Sequence, residues 1–372
     1  MVAPLHTDPS SAESVTASGQ PAVAGGQSTP ERISQLSTDL ARCIAASGSE
    51  IEQINLQTRL LSFNAQIEAA RAGSAGVAFA VVGQEMVSLS HRTAEAAQRL
   101  RSESQGLVGE LTSISRSLSS DVRGTRLADL ALVNIDLIDR NLYERSCDCR
   151  WWATDSAMVD ALARPSSTAA HHATGRLGVI LKAYTVYFDI VLADKDGVII
   201  ANGRPDRFHS VGTNHANAAW FRTALACATG DEFGFQSAHR SPLAANERVL
   251  VYSCKVCRDG KASGEALGVL GVVFRWDALA DTIVRQTPVD EADRPRTRAC
   301  IIAPDGTLLA DSSGHALTQK LELPDRERLF ALKKGHREIE LGGVRAVIGI
   351  AQSPGFETYA TGWHSAVIQT LG

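Results

Sequence analysis

Residues 54–97 read INLQTRLLSFNAQIEAARAGSAGVAFAVVGQEMVSLSHRTAEAA, two helical patterns closing on one tight reversal. Upstream, Ile33, Leu40, Ile44, Ile51, Ile54, Leu61 and Ala65 keep a 3/4 spacing, with Ser47 and Thr58 as polar interruptions. Such spacing, held over several heptads, predicts a coiled-coil seam. Gly48 inside it costs about 1 kcal/mol relative to Ala. The segment ARAGSAG (70–76) supplies the glycines of a turn, with the tip near 72–76. A second seam follows at Phe79, Val82, Met86, Leu89, Thr93, Ala96 and Leu100, then Leu107, Leu111, Ile114 and Leu118. Two such helices joined by a short Gly-bearing turn make an antiparallel hairpin. At ~1.5 Å per residue its first arm spans roughly 60 Å.

Outward from the hairpin the texture changes twice. Residues 1–29 are rich in Ala, Ser, Gly, Pro and Thr and nearly free of large apolar side chains, so a disordered tail is expected. Gly124 marks a kink or boundary that closes the hairpin segment 30–124. A long connecting helix is expected over 125–165, its pattern running through 126–163 and ending at Pro165, with another helix near 171–184. Beyond it, YFDIVLADKDGVIIA (187–201) reads as two strands around Asp-Lys-Asp-Gly, and RVLVYSCKV (248–256) and EALGVLGVVFRW (265–276) as two more, with a helix around 218–226. RACIIAPDGTLLADS (298–312) repeats the strand–Asp-Gly–strand grammar. Strands follow at REIELGG, at RAVIGIAQ and at ETYATGWHSAVIQ, which is expected to end in a short helix. The predicted fold class is α+β: the helical hairpin, the long helix, and two copies of one antiparallel sheet module, over 166–290 and 291–372.

Composition narrows the function classes. Of 372 residues, 44% are hydrophobic, enough to bury a sizeable core. Lys+Arg total 37 against Asp+Glu 41, a net charge of −4 that gives no support to nucleic-acid binding through bulk electrostatics. The opening MVAPLHTDPSSAES has neither basic n-region nor apolar h-region, and no apolar run reaches the ~18–20 residues that span a bilayer. Seven scattered cysteines do not form a disulfide framework, and a cytoplasmic location is expected. With no P-loop, GxSxG, HExxH, kinase signature or GxGxxG after a strand, catalysis is not expected.

The stretch 54–97 resembles the tip of the methyl-accepting chemotaxis receptor signalling domain. Matches run almost continuously through Gln57, Thr58, Leu60, Leu61, Asn64, Ala65, Ile67, Glu68, Ala69, Ala70, Arg71, Ala72 and Gly73, and resume at Gly76, Phe79, Ala80, Val81, Val82, Glu85, Leu89 and Arg92. The resemblance implies a hairpin that binds the chemotaxis histidine kinase and its coupling adaptor. It also implies a homodimer able to pack as a trimer of dimers. The contacts would fall on Asn64, Ile67, Glu68, Arg71, Phe79, Val82 and Glu85. Arg59, Phe63, Gln66 and Val77 depart from the family pattern. Paired Glu/Gln methylation sites flanked by small residues are not found on the arms, the nearest approximation being Glu52-Gln53, so a non-adapting protein is expected.

The second half resembles a double Cache sensor, a fold whose sheet order PAS modules share. ADKDGVIIANG, HANAAWFRTAL, VLVYSCKV, GVLGVVF and YATGWHSAVIQ carry this. It implies a small-molecule pocket between a curved sheet and its covering helices, with Trp220, Phe221, Arg222, Phe235, Tyr252 and His215 as candidates. In amino-acid-binding members an Arg precedes the Trp by two residues and an Asp follows the GVLG strand. Here those places hold Ala218 and Val272 or Val273, so an α-amino acid is disfavoured. Cys147-Cys149 and Cys254-Cys257 are read as small buried hydrophobes, with a metal or redox pair as the alternative; strand alternation points Cys254 and Cys257 to opposite faces, and His171, His172, His209, His215 and His239 have no ligand spacing on one element. No metal or cofactor is expected. The combined reading is a soluble chemoreceptor-like transducer. Its alternative is a ligand-binding or scaffolding coiled-coil dimer without kinase coupling, which Arg59 and Val77 favour.

Overall fold

A computed structural model describes residues 29–371, so the expected disordered tail lies outside the described residues except for Thr29, which begins the first helix. Two compact units divide the chain, 1–119 and 120–372.

In the first unit, helix α1 (Thr29–Arg71) reaches a short 3-10 turn (Gly73–Gly76), and helix α2 (Val77–Trp152) returns from it. Their closest seam is built from small residues. Asn55, Ser62 and Ala69 on one side and Gly76, Gly83 and Ser90 on the other are buried, at steps of seven along the chain. Ser90 Oγ donates to the Asn55 carbonyl (3.2 Å), and Arg101 pairs with Glu52 at 2.9 Å. A Cβ on Gly76 would stand 2.1 Å from the Ala69 carbonyl oxygen, so only glycine allows this approach. The expected seam is corrected in part: Ile44, Ile51, Ala65 and Met86 are half-buried, but other large members are not. Ile54, Leu61, Val82, Leu89 and Leu107 face outward, Leu61 with 61% exposure. Backbones drawn together by Gly, Ala and Ser leave no room between them for a leucine layer.

The second unit opens with the remainder of α2. The helix does not break at Gly124; its backbone passes over His336 there, and a Cβ would meet that ring at 2.0 Å. Nor does one helix fill 126–163. Helix α2 stops at Trp152, and α3 (Ser156–Ala163) restarts from Asp155, whose carboxylate accepts the Ala157 N–H. Helix α4 (Ser167–Ala183) is capped in the same way by Ser166, which accepts from Ala169.

Five strands follow: β1 (Tyr187–Asp194), β2 (Ile199–Asn202), β3 (Gly234–Ser241), β4 (Glu247–Cys257) and β5 (Ala266–Arg275). Helix α5 (Ala219–Ala226) sits between β2 and β3, and α6 (Trp276–Arg285) follows β5. The second set comprises β6 (Thr297–Ile302), β7 (Leu308–Asp311), helix α7 (Arg326–Phe330), β8 (Lys334–Leu341), β9 (Val344–Gln352) and β10 (His364–Thr370). The antiparallel orders, β2-β1-β5-β4-β3 and β7-β6-β10-β9-β8, are the same order in the two sheets. The chain continues as strand to Thr370, where a short helix was expected.

Both sheets turn one face to a shared core. Leu127, Ala131, Ile135, Ile138 and Leu142 of α2 pack there with Tyr187, Leu270 and Phe274 of the first sheet and Ile301, Val347 and Val367 of the second. Each fully buried Leu or Ile contributes about 1.5–3 kcal/mol. The outer faces carry separate clusters, one around Trp220, Phe221, Val251 and Val273, the other around Ile302, Leu329 and Ile348.

Candidate functional site

Alternation along β4 and β5 decides which side chains meet. Val249, Val251, Val269 and Val273 point outward, whereas Leu250, Tyr252, Leu270 and Val272 point inward. Over the outward set lies α5. Trp220 is fully buried against β5, its ring 3.0 Å from where a Cβ on Gly271 would be. The backbone of α5's first turn is held from both sides: Gln236 Oε1 accepts the Trp220 N–H (3.2 Å), and Ser253 Oγ donates to the Trp220 carbonyl (2.6 Å).

The six candidates do not form one pocket. Trp220 and Phe221 are core on the outer face, their rings edge-to-face at 5.7 Å, and Arg222 is exposed on α5. Tyr252 is buried on the opposite face, its hydroxyl bonded to the Tyr359 hydroxyl, with Phe235 beside it at 5.1 Å. Of the six, His215 lines a cavity, its ring 6.0 Å from that of Trp220.

That cavity holds 220 Å³ and is lined by Phe208, His209, Ser210, Thr213, His215, Pro242 and Leu243. Sequence reasoning missed most of them because they lie on a loop rich in Gly, Pro and polar residues. It also treated His209 and His215 as unrelated, and the loop brings them together. Asp189 of β1 roots the loop. Its carboxylate accepts the Asn202 side-chain amide (2.7 Å) and the backbone N–H groups of Ile190, Gly203 and Arg204. Burial pushes this carboxyl up to about 6 against those four bonds. Asn202 also donates to the Phe208 carbonyl (2.9 Å), fixing the cavity wall. Burial holds His215 below its ordinary value, which keeps the imidazole neutral near pH 7. Thr213 Oγ1 donates to the Ser210 carbonyl (2.6 Å) and lies 3.0 Å from His215 Nε2.

Elsewhere, a groove of 430 Å³ runs along the helix pair past Glu52, Arg59, His91, Glu95 and Arg101, and a cleft of 620 Å³ lies by Trp151, His172 and Arg176. In the cleft Arg176 is already paired with Asp155. Cys254 and Cys257 do not diverge as expected. A bulge between Val256 and Cys257 lets both thiols flank Gly230, Cys254 donating to its carbonyl at 3.1 Å. Among the described residues no group of three or more His, Cys, Asp or Glu is arranged to hold a metal ion.

At the hairpin turn, Asn64, Ile67, Glu68, Arg71, Phe79, Val82 and Glu85 are all exposed, Phe79 at 69%. Glu68 and Arg71 pair at 2.8 Å in open solvent, a contact worth little to stability.

Comparison with known proteins divides in the same way. Residues 7–128 match the methyl-accepting chemotaxis protein (MCP) signalling domain. The methyl-accepting chemotaxis protein McpG of Pseudomonas putida is 57% identical over 51 residues, 14% of this chain and 8% of that protein. Amb0994, a methyl-accepting chemotaxis protein of Paramagnetospirillum magneticum, is 48% identical over 66 residues, 18% of this chain and 15% of that protein. The aligned parts are thus small fractions of those relatives. The sensory domain of the Campylobacter jejuni chemoreceptor Tlp3 superposes with a TM-score of 0.50 and 12% identity, covering 66% of this chain and 92% of that one. A second structure of that domain, also at 0.50, is a complex with 4-methylisoleucine. The likeness is one of fold. The N-terminal part is accordingly similar to a chemotaxis signalling domain, and the rest has the Cache-like fold of chemoreceptor ligand-binding domains.

Proposed function

We propose that this chain is a chemoreceptor-like signal transducer. In this reading a double Cache domain senses a small molecule, and the helices pass its state to a hairpin that contacts the chemotaxis histidine kinase and its coupling adaptor. The observation that carries the reading is the uninterrupted helix α2, Val77–Trp152, which supplies the return arm of the hairpin and also residues of the core shared by the two sheets. The seven exposed tip side chains support it, since partner contacts need them accessible. The chain acts as a homodimer: the outward Ile, Leu and Val rows of the hairpin require a cover, and a second copy supplies one. It works in the cytoplasm without catalysis of its own; no described helix is long and apolar enough to cross a membrane.

The test is reconstitution of the full chain with purified kinase and adaptor. The wild type is expected to retain both and change the rate of kinase autophosphorylation, and Glu68→Lys to lose both effects. If neither protein is retained and the rate does not change, kinase coupling is refuted, and the alternative of a ligand-binding or scaffolding dimer takes its place. Arg59 and Val77, both exposed near the turn, favour that alternative.

A further inference from the structure

Another concave site lies where the linker between the two sheets meets α2. The end of α6 and the segment after it form one wall; the start of β6 and the turn after β7 form the other. The cleft holds 330 Å³, within the ~300–1,000 Å³ of small-molecule sites. Arg285, Arg294, Ser312 and Ser313 line it, and none of its lining residues is Asp or Glu. Thr287, in the first wall, accepts the Asn134 side-chain amide of α2 at 3.0 Å.

The position of the Arg294 guanidinium is fixed. Nη1 donates to the Arg285 carbonyl (3.1 Å) and Nη2 to the Val289 carbonyl (3.4 Å), so the group sits between two residues of the cleft wall. A guanidinium has five N–H donors, which leaves three on an exposed residue. Arg285 is exposed in the last turn of α6. Among the described residues no carboxylate pairs with either arginine. The acids that flank the cleft in sequence are engaged elsewhere: Asp290 with Arg126 (2.9 Å), Asp293 with Arg296 (2.5 Å), and Asp311 with Arg298 through two bonds of 2.9 Å. On the facing wall Ser312 Oγ accepts the Ala299 N–H (3.0 Å) and keeps its own proton to donate. The recess is therefore positive and rich in donors. An oxyanion completes such a recess, because the planar guanidinium matches two oxygens of a carboxylate or phosphate.

We propose that this cleft is a ligand site for a small anion, whose carboxylate or phosphate group pairs with the Arg294 guanidinium under the second positive charge of Arg285. The anion ties the end of α6 to the β6–β7 wall, across the linker that holds α2 through Thr287 and through the Arg126–Asp290 pair. It is a different place from the His215 cavity, whose lining has no Arg or Lys. The inference goes beyond the transducer reading and does not depend on it, so its test involves neither kinase nor adaptor.

The experiment uses the full chain, with thermal unfolding followed by tryptophan fluorescence at an ionic strength held constant with sodium chloride. Inorganic phosphate and succinate are the anionic probes; chloride alone and uncharged succinamide are the controls. Phosphate, succinate or both are expected to raise the midpoint in a saturable way, and the controls to leave it unchanged. The larger of the two shifts assigns the bound group as phosphate or carboxylate. Arg294→Gln is expected to raise the half-saturating concentration about tenfold, the factor carried by a lost charged hydrogen bond. Because Arg294 also holds two carbonyls, Arg285→Gln serves as the second variant. It is expected to keep the wild-type midpoint without probe and to weaken the response to the anion. Absence of a saturable shift with either anion overturns the proposal. So does an equal shift with succinamide, or a response undiminished in both variants.

Discussion

Asp139 is the sharpest place to test how α2 is held in the second unit. It is fully buried, and its carboxylate accepts four hydrogen bonds from the β9–β10 connection. Ser353 Oγ (2.6 Å) and the Gly355 N–H (2.9 Å) reach one oxygen; Thr361 Oγ1 (2.9 Å) and the Thr361 N–H (3.4 Å) reach the other. In Asp139→Ala the hydroxyls can turn toward solvent, but the two backbone donors are tied to the loop. Charged hydrogen bonds contribute about 1.5–3 kcal/mol each. Two of them total roughly 3–6 kcal/mol, and relief of the carboxylate's own burial cost brings the expected net loss to about 3 kcal/mol. Urea denaturation of the full chain measures this cleanly, because all five tryptophans (151, 152, 220, 276 and 363) lie in the second unit. With a slope of about 3 kcal/mol/M, the midpoint falls by roughly 1 M. Asp139→Asn, which keeps one acceptor oxygen, is expected to lose about half as much. A midpoint for Asp139→Ala within error of the wild type would refute the reasoning, and so would a change confined to the slope.

Three further outcomes are expected. Asp189 has a folded value near 6, above the unfolded carboxyl's, so its contribution is full below about pH 4 and is lost as pH rises through 6. The wild type should therefore lose stability relative to Asp189→Asn across that window, by at most about 1.4 kcal/mol per pH unit, and parallel curves for the two proteins would contradict it. Alkylation with iodoacetamide read by mass spectrometry should label exposed Cys43 first and leave Cys149, Cys254 and Cys300 unmodified until urea unfolds the chain, because burial both shields these thiols and pushes them up. Tyr187→Phe should leave kinase and adaptor retention intact while weakening any ligand effect on the kinase, since it removes the bond to Asp148 of α2; an unchanged kinase response would exclude Tyr187 from the coupling.

Legibility followed the physics of each element. The turn at Arg71–Gly76 was plain because a reversal this tight needs Gly76. The strand–Asp-Gly–strand repeat announced two sheets, since apolar runs and turn residues act locally. Strand β3 was missed because GFQSAHRS holds no β-branched residue; pairing with β4 makes it a strand. The break after Trp152 carries no Gly or Pro and is imposed by the Asp155 cap and by packing. Gly124 marks no kink, because a glycine inside a helix can mark a close neighbour, here His336, although the two units divide nearby at 119/120. The pocket candidates failed on one point available in the sequence, that side chains on β4 alternate, so Tyr252 could not share a face with a helix packed on Val251. Ser210 and Thr213 were out of reach because nothing local signals what a loop will line.

The pocket loop and α2 are on opposite faces of the first sheet, so a ligand can influence the helix only through the strands. β1 provides such a route. Arg204, next to the Asp189-bound turn, donates to the carbonyls of Tyr187 (2.9 Å) and Phe188 (2.8 Å). On the other face the Tyr187 hydroxyl donates to Asp148 of α2 at 2.5 Å, with Arg145 of the same helix over its ring. Burial raises the Asp148 carboxyl, so this contact is made in a low-dielectric setting where a small displacement carries a large energetic consequence. Geometry alone does not make a route a switch. A ligand changes the state of α2 only by the difference in its affinity for two arrangements of the loop, and allosteric couplings of this kind amount to about 1–3 kcal/mol. Making or losing the Tyr187–Asp148 bond is worth an amount of that order.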